Sequence, residues 1–276
     1  VTTRNAAVQE WQAYLTNRAK RTRDGRFLIH GAEPITRAVA HDWPLETLLY
    51  RLGGPELPPW ARELIDAGAV PSMGLVPELM AELAETRMGT TELVAVAKCR
   101  DLALDDFAPG SPGEAPVVLA VERPASALRL GGLIRTAHAF GAAAVVISGS
   151  GVDHYDPQCV RASAGALFAL PVFRVPGIAA LRGLRDRQAE RGIPTQVVGI
   201  VDAEAAVSGA VPVDAHALTT ATIVVIGDAA DLGANWPGAC DAVVRVPAAG
   251  TLPAPCTAAI ALYEIFRQRG ALQEAD

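Results

Sequence analysis

Short apolar runs alternate with amphipathic stretches along the chain, and their periods predict an α/β protein. Phe27-Leu28-Ile29-His30 reads as a strand, residues 32–40 as a helix and Thr47–Tyr50 as a second strand. Helices are expected over 59–67 and 76–86, and Glu92–Ala97 reads as a strand. Farther on the apolar runs become nearly continuous: 117–121 (V-V-L-A-V), 144–147, 172–175, 195–200, 222–226 and 243–246. Helical periods fill 127–140, 177–190 and about 257–268. Val/Ile-rich strands separated by helices predict a mostly parallel sheet covered on both faces. In such a sheet a ligand belongs at the C-terminal ends of the strands.

The pattern breaks once. From Asp105 to Pro116 the chain runs D-D-F-A-P-G-S-P-G-E-A-P, without periodicity, which marks a linker. The expected organisation is a domain over 1–108, a linker over 109–116 and a larger domain over 117–276.

Composition fits this picture: 50% of the 276 residues are hydrophobic and 20% charged, which excludes a disordered chain. No run approaches the roughly 18–20 apolar residues of a membrane span. The first residues, V-T-T-R-N-A-A-V-Q-E-W, lack the apolar core of a signal peptide. Cys99, Cys159, Cys240 and Cys256 stand 60, 81 and 16 positions apart, matching neither a zinc site nor a redox pair. A cytoplasmic protein with reduced thiols and without metal or membrane partner is expected.

Charge changes the picture more. The chain carries a formal net charge of -6, yet residues 1–30 hold Arg4, Arg18, Lys20, Arg21, Arg23 and Arg26 against Glu10 and Asp24. That segment is therefore +4 and the remainder -10. Five of those bases fall in R-A-K-R-T-R-D-G-R. Such a cluster is either a phosphate-binding patch or a solvated helix end.

Several chemistries are unsupported. There is no GxGxxG after the strand at 117–121, no GxxxxGK[ST] and no GxSxG, and the five histidines lack ligand spacing. Three clusters remain. In R-L-G-G-L-I-R-T-A-H-A-F-G (129–141), Arg129 and Arg135 sit about 600° apart around a helix and so on different faces. Arg135 is either a cover residue or a phosphate or carboxylate clamp. In D-P-Q-C-V-R-A-S-A-G-A (156–166), Asp156 can cap a helix that Pro157 opens, presenting Arg161 and Ser163. The third cluster is a pair of loops, G-D-A-A-D-L-G (227–233) and V-P-A-A-G-T-L-P (246–253), each after an apolar strand. Their main-chain groups suit an adenine and a ribose.

These segments, in this order, resemble the SpoU/TrmH class of SPOUT RNA 2'-O-ribose methyltransferases, near the thiostrepton-resistance type that acts on 23S ribosomal RNA. K-R-T-R-D-G-R-F-L-I-H-G resembles the start of the family's L30-like substrate domain. L-G-G-L-I-R-T-A-H-A-F-G resembles motif 1, and D-P-Q-C-V-R-A-S-A-G-A the helix after it. V-V-I-G-D-A-A resembles motif 2. V-P-A-A-G-T-L-P, with A-A-I-A-L-Y-E-I-F-R-Q-R, resembles motif 3 and its closing helix. The resemblance implies a C-terminal SPOUT domain with a deep trefoil knot, a homodimer built through it, and methyl transfer from S-adenosylmethionine to a ribose 2'-hydroxyl of structured RNA, ribosomal rather than transfer RNA. It makes Arg135 the catalytic arginine. It places the cofactor on Ile226, Gly227, Asp228, Val246, Pro247, Gly250, Thr251 and Leu252. Arg18, Lys20, Arg21, Arg23, Arg26, Arg129, Arg161 and Ser163 become candidate RNA contacts. Three positions depart from the family pattern: Arg129 stands for an Asn, Gly227-Asp228-Ala229 for G-N-E, and Thr251-Leu252-Pro253 for S-L-N. An RNA-binding homologue that no longer methylates is the alternative this leaves open.

Overall fold

The computed structural model describes residues 1–53, 56–84, 92–201, 203–205, 207–227, 232 and 236–270. The chain forms two compact units, one of residues 1–101 with 153–169 and the other of residues 102–152 with 170–276.

The first unit opens with α1 (Ala6–Thr16) and α2 (Arg18–Asp24). Two asparagines mark these helices. Asn5 accepts from the Val8 N–H at the start of α1, and Asn17 ends α1 and accepts from the Lys20 N–H to start α2. Strand β1 (Arg26–His30), helix α3 (Ala32–Ala40), β2 (Leu45–Arg51), α4 (Pro59–Asp66), β3 (Ser72–Leu75), α5 (Pro77–Glu82) and β4 (Leu93–Lys98) follow. The four strands pair in the order β1-β4-β2-β3, antiparallel except for β2 with β3. Val8, Trp11 and Tyr14 of α1 pack on Leu28, Leu49, Val94 and Val96 of the sheet.

The second unit contains β5 (Val117–Glu122), α6 (Ala127–Ala139), β6 (Ala144–Ser148), β7 (Val172–Val175), α9 (Ile178–Glu190), β8 (Thr195–Val201), β9 (Val211–Pro212), β10 (Ala221–Gly227), β11 (Ala242–Arg245) and α10 (Ala254–Gln268). Between β6 and β7 the chain returns to the first unit as α7 (Pro157–Ala162) and α8 (Ala166–Ala169). All seven strands of the second sheet are parallel, in the order β7-β6-β5-β10-β8-β11-β9. Val118, Ala120, Val146, Ile223 and Val225 pack with Leu181 and Leu184 of α9 and with Trp236. Helices α6 and α10 pack against each other and lie along β6 and β10.

Most expected elements form within a few residues of their predicted ends. The helix expected from about 257 starts at Ala254, because Pro253 and Pro255 suit a helix start, where an N–H is not needed. The helix expected over 76–86 covers Pro77–Glu82, and the tail of that prediction from 85 lies outside the described residues. The segment 153–169 departs from a simple linear division because its contacts are with the first unit. Phe27, Trp43, Tyr155 and Phe168 form one aromatic cluster, with Phe27 and Tyr155 centroids 4.5 Å apart.

Candidate functional site

The second sheet has a topological switch between β5 and β10. From β5 the chain runs to β6 on one side; from β10 it runs to β11, beyond β8 on the other side. Adjacent strands whose connections leave in opposite directions open a crevice at their C-terminal ends. The residues at that edge share one register: Gly227 of β10 pairs with Glu122 of β5, Glu122 with Ser148 of β6, and Ser148 with Val175 of β7. The apolar face packed by α9 ends in this row.

Two polar groups there are buried without a hydrogen-bond partner among the described residues. Glu122 is 9% exposed and its Oε2 is unpaired, while Ser148 is fully buried with an unpaired Oγ. Orphaned buried acceptors at a crevice are places for a ligand's hydrogen-bond donors. The other Glu122 oxygen forms an ion pair with Arg123, Nε–Oε1 3.0 Å. Arg123 has φ +43, in the left-handed region, which costs a non-glycine residue about 1–3 kcal/mol. Sequence reasoning missed all three residues. Its only signal was a glutamate closing the otherwise apolar run V-V-L-A-V-E.

The residues proposed for the cofactor lie at or beyond the same ends. Ile226 and Val246 are buried, at 2% and 3% exposure. Gly227 ends β10. In the loop after β11, Pro247 and Thr251 are exposed, and Gly250 and Leu252 half-buried. Asp228 lies outside the described residues, as does Ala229. Pro253 is the N-cap residue of α10, and its carbonyl accepts from Cys256 N–H at 2.8 Å and Thr257 N–H at 3.1 Å. Its position is therefore fixed by the helix it starts.

Motif-like residues on α6 divide by face. Ser126 caps the helix by accepting from the Arg129 N–H at 3.3 Å. Leu130, Leu133, Ile134 and Ala137 are buried, whereas Arg129 and Arg135 are exposed. An ideal Cβ on Gly132 would lie 3.7 Å from Pro255 Cγ of α10, an ordinary van der Waals contact, so the space between the two helices admits a methyl group.

The basic segment of the first unit divides as well. Arg21 is buried. Its Nε reaches Asp153 at 2.8 Å, its Nη2 reaches Asp156 at 3.2 Å, and its Nη1 donates to the Tyr14 carbonyl at 2.7 Å. This corrects the expectation of an RNA contact: Arg21 fastens the 153–169 segment to α1 and α2. Ser163 is corrected likewise, being fully buried with its hydroxyl donating to the Val160 carbonyl at 2.7 Å. Lys20 bridges Glu10 at 3.1 Å and Asp24 at 2.8 Å, and these two carboxylates raise its pKa, Asp24 most. Arg26 pairs with Glu46, with Nη2–Oε1 at 3.1 Å, and this hydrogen bond lowers the Glu46 pKa. Arg23 reaches Asp24 at 3.0 Å, but its side chain stays 70% exposed. Arg18 and Arg161 are exposed. Asp156 accepts from the Gln158 N–H and Pro157 opens α7, as the sequence predicts.

The remainder of the R-A-S-A-G segment is structural. Ala164 (φ +47) and Gly165 (φ +84) turn the chain between α7 and α8. A Cβ on Gly165 would come within 2.5 Å of Arg37 Cγ, so this turn requires glycine.

Among the described residues no group of three or more His, Cys, Asp or Glu could hold a metal ion, and no helix is long and apolar enough to cross a membrane. Comparison with known proteins identifies both parts of the chain. Residues 5–95 match the SpoU L30e-like domain and residues 116–254 the SpoU rRNA methylase family. A 23S rRNA (uridine(2479)-2'-O)-methyltransferase of Streptomyces viridochromogenes is 38% identical over 273 residues, covering 98% of this chain and 92% of that protein. The crystal structure of the SpoU methyltransferase AviRb from the same organism, in complex with AdoMet, superposes with a TM-score of 0.88 at 37% identity, covering 97% of this chain and 99% of that one. An rRNA methyltransferase from Sinorhizobium meliloti shares the fold, with a TM-score of 0.80 at 23% identity over 97% of this chain and 96% of that one. The chain is a member of the SpoU rRNA methylase family.

Proposed function

We infer that this protein transfers a methyl group from S-adenosylmethionine to a ribose 2'-hydroxyl of 23S ribosomal RNA. The observation that carries this reading is the 38% identity to a 23S rRNA 2'-O-methyltransferase, which runs through both units rather than one. The crevice suits the cofactor: the orphaned Glu122 Oε2 and Ser148 Oγ offer acceptors to a ligand rich in N–H and O–H donors, and Ile226 and Val246 are assigned to its apolar contacts. Gly227, Asp228, Pro247, Gly250, Thr251 and Leu252 complete the proposed site. When bound, the cofactor supplies a methyl group already activated by the sulfonium charge.

The chain's task is then to place and activate the hydroxyl. Arg135, exposed on α6, is assigned to the RNA: its guanidinium holds a phosphate and favours the alkoxide character that grows on the 2'-oxygen as the oxygen–carbon bond forms. The hydroxyl proton would leave to solvent, and the methyl group that replaces it would come from the cofactor held at the crevice. Arg18, Arg23, Arg129 and Arg161, all exposed, are assigned to the phosphate backbone, with Lys20 and Arg26 contributing charge from their ion pairs.

The homodimer and the trefoil knot belong to the same reading. Leu128, Ile260 and Tyr263 expose apolar side chains on α6 and α10, at 58%, 38% and 46% exposure, which supports a second copy packing on this helix pair. The knot rests on membership of the SpoU methylase family. Incubation with methyl-labelled S-adenosylmethionine and a 23S rRNA transcript should label the RNA at a ribose. Arg135→Ala should abolish turnover while cofactor affinity stays within about tenfold. A folded Arg135→Ala protein that loses cofactor binding instead would contradict the assigned role.

A further inference from the structure

We propose that Arg123 is a phosphate-binding residue for the RNA substrate, presented beside the cofactor crevice and held in place by Glu122 as a positioning residue. The proposal rests on the methyl-transfer reading and extends it to two residues outside the resembling motifs.

Four features fix this arginine. Its backbone takes φ +43, a conformation that L side chains rarely adopt. Its N–H donates to the Ser148 carbonyl at 3.1 Å, which holds the strained residue against the end of β6. Its stem crosses Gly149, where a Cβ would stand 3.2 Å from Arg123 Cγ, and Gly149 itself has φ +80. Its Nε meets Glu122 Oε1 at 3.0 Å. That contact occupies the inner edge of the guanidinium, while the side chain as a whole remains 60% exposed.

A planar cation whose inner edge is pinned by a carboxylate leaves its two Nη groups for a bidentate partner, and a phosphate matches that fork. The location selects RNA over a small anion. Glu122 shares its register with Gly227, where the proposed cofactor loop begins, so a nucleotide whose ribose approaches that loop carries its phosphates past this edge. Glu122 is nine-tenths buried and its Oε2 has no partner among the described residues. Its attachment to Arg123 therefore preorganises the fork instead of being one more exposed ion pair.

The test measures binding of a 23S rRNA transcript across a salt series, together with S-adenosylmethionine affinity and the melting temperature, for three variants. Arg123→Gln should weaken RNA binding about 10- to 100-fold and lower the salt slope by about 0.7 to 0.9, the share of one phosphate contact, with cofactor affinity unchanged. Arg123→Gly separates function from folding: glycine accepts the left-handed backbone freely, so its melting temperature should hold or rise while RNA binding falls equally. Glu122→Gln should weaken RNA binding by a smaller factor and raise KM more than it lowers kcat. Adding Arg123→Gln to it should cost less than in the wild type, because the two act as one unit. Wild-type protein that binds RNA no better than Arg123→Gln or Arg123→Gly overturns the assignment of Arg123 alone. Wild-type protein that binds no RNA overturns the methyl-transfer reading and this subsite with it.

Discussion

The basic cluster at residues 18–26 shows how one sequence feature divides into two physical roles. Arg21 is enclosed by Asp153, Asp156 and the Tyr14 carbonyl, so removing it strands two carboxylates, whereas Arg23 is largely solvated. Arg21→Ala should cost about 3–5 kcal/mol in denaturant unfolding, and Arg23→Ala less than about 0.5 kcal/mol. Equal costs would contradict the division. His30 supplies a pH signature. It is buried and its Nε2–H donates to the Leu83 carbonyl at 2.8 Å; burial first, and the nearby Arg161 charge second, hold its pKa below the ordinary value. The unfolded chain therefore takes up this proton before the folded one. The stability it contributes is complete above the ordinary histidine pKa of about 6.5 and is lost as pH falls below it, by at most about 1.4 kcal/mol per pH unit. Unfolding at pH 7.5, 6.0 and 5.0 should show a steeper acid-side loss for the wild type than for His30→Asn. Parallel losses would remove His30 as the cause.

At the scale of elements, two glycines predict opposite outcomes. Gly132 lies inside α6 with space for a methyl against Pro255, so Gly132→Ala should stabilise by up to about 1 kcal/mol through helix propensity. Gly199 lies in β8, where a Cβ would meet Leu232 Cδ1 at 2.9 Å and Cys240 Sγ at 3.1 Å. Gly199→Val should cost about 1–3 kcal/mol through overpacking. Thermal melts of the two variants should move in opposite directions. The strands of the parallel sheet were legible because buried Val/Ile runs admit few other readings. Helices α1 and α2 were harder to read: their signals are two asparagine caps rather than a long apolar stripe. Pairing between distant segments was not legible at all. Nothing local announces that Asp153 meets Arg21, or that Ser163 turns inward at the end of α7. The same holds for the crevice. Its strands could be read singly, but the row Gly227–Glu122–Ser148 exists only once β10 inserts beside β5.

For the whole molecule, a net charge of -6 coexists with an RNA substrate because the negative balance lies outside the first thirty residues, which carry +4. With Arg21 assigned to packing, Arg18 and Arg23 are the exposed cations of that segment's nine-residue cluster. Neutralising both should lower the RNA salt slope by about 1.4 to 1.8 without loss of fold, read by filter binding and a melt. The departures from the family pattern at Arg129 and Pro253 fall on an exposed helix position and on a residue that starts α10, so neither introduces an unsatisfied group into the described crevice. The most direct measurement of the central claim is mass spectrometry of a 23S rRNA transcript incubated with the protein and S-adenosylmethionine. The account predicts one added methyl group on a ribose, resistant to alkaline cleavage at that nucleotide and absent with Arg135→Ala. RNA that is bound but carries no methyl group would contradict it, and would make the protein a binding member of its family rather than an enzyme.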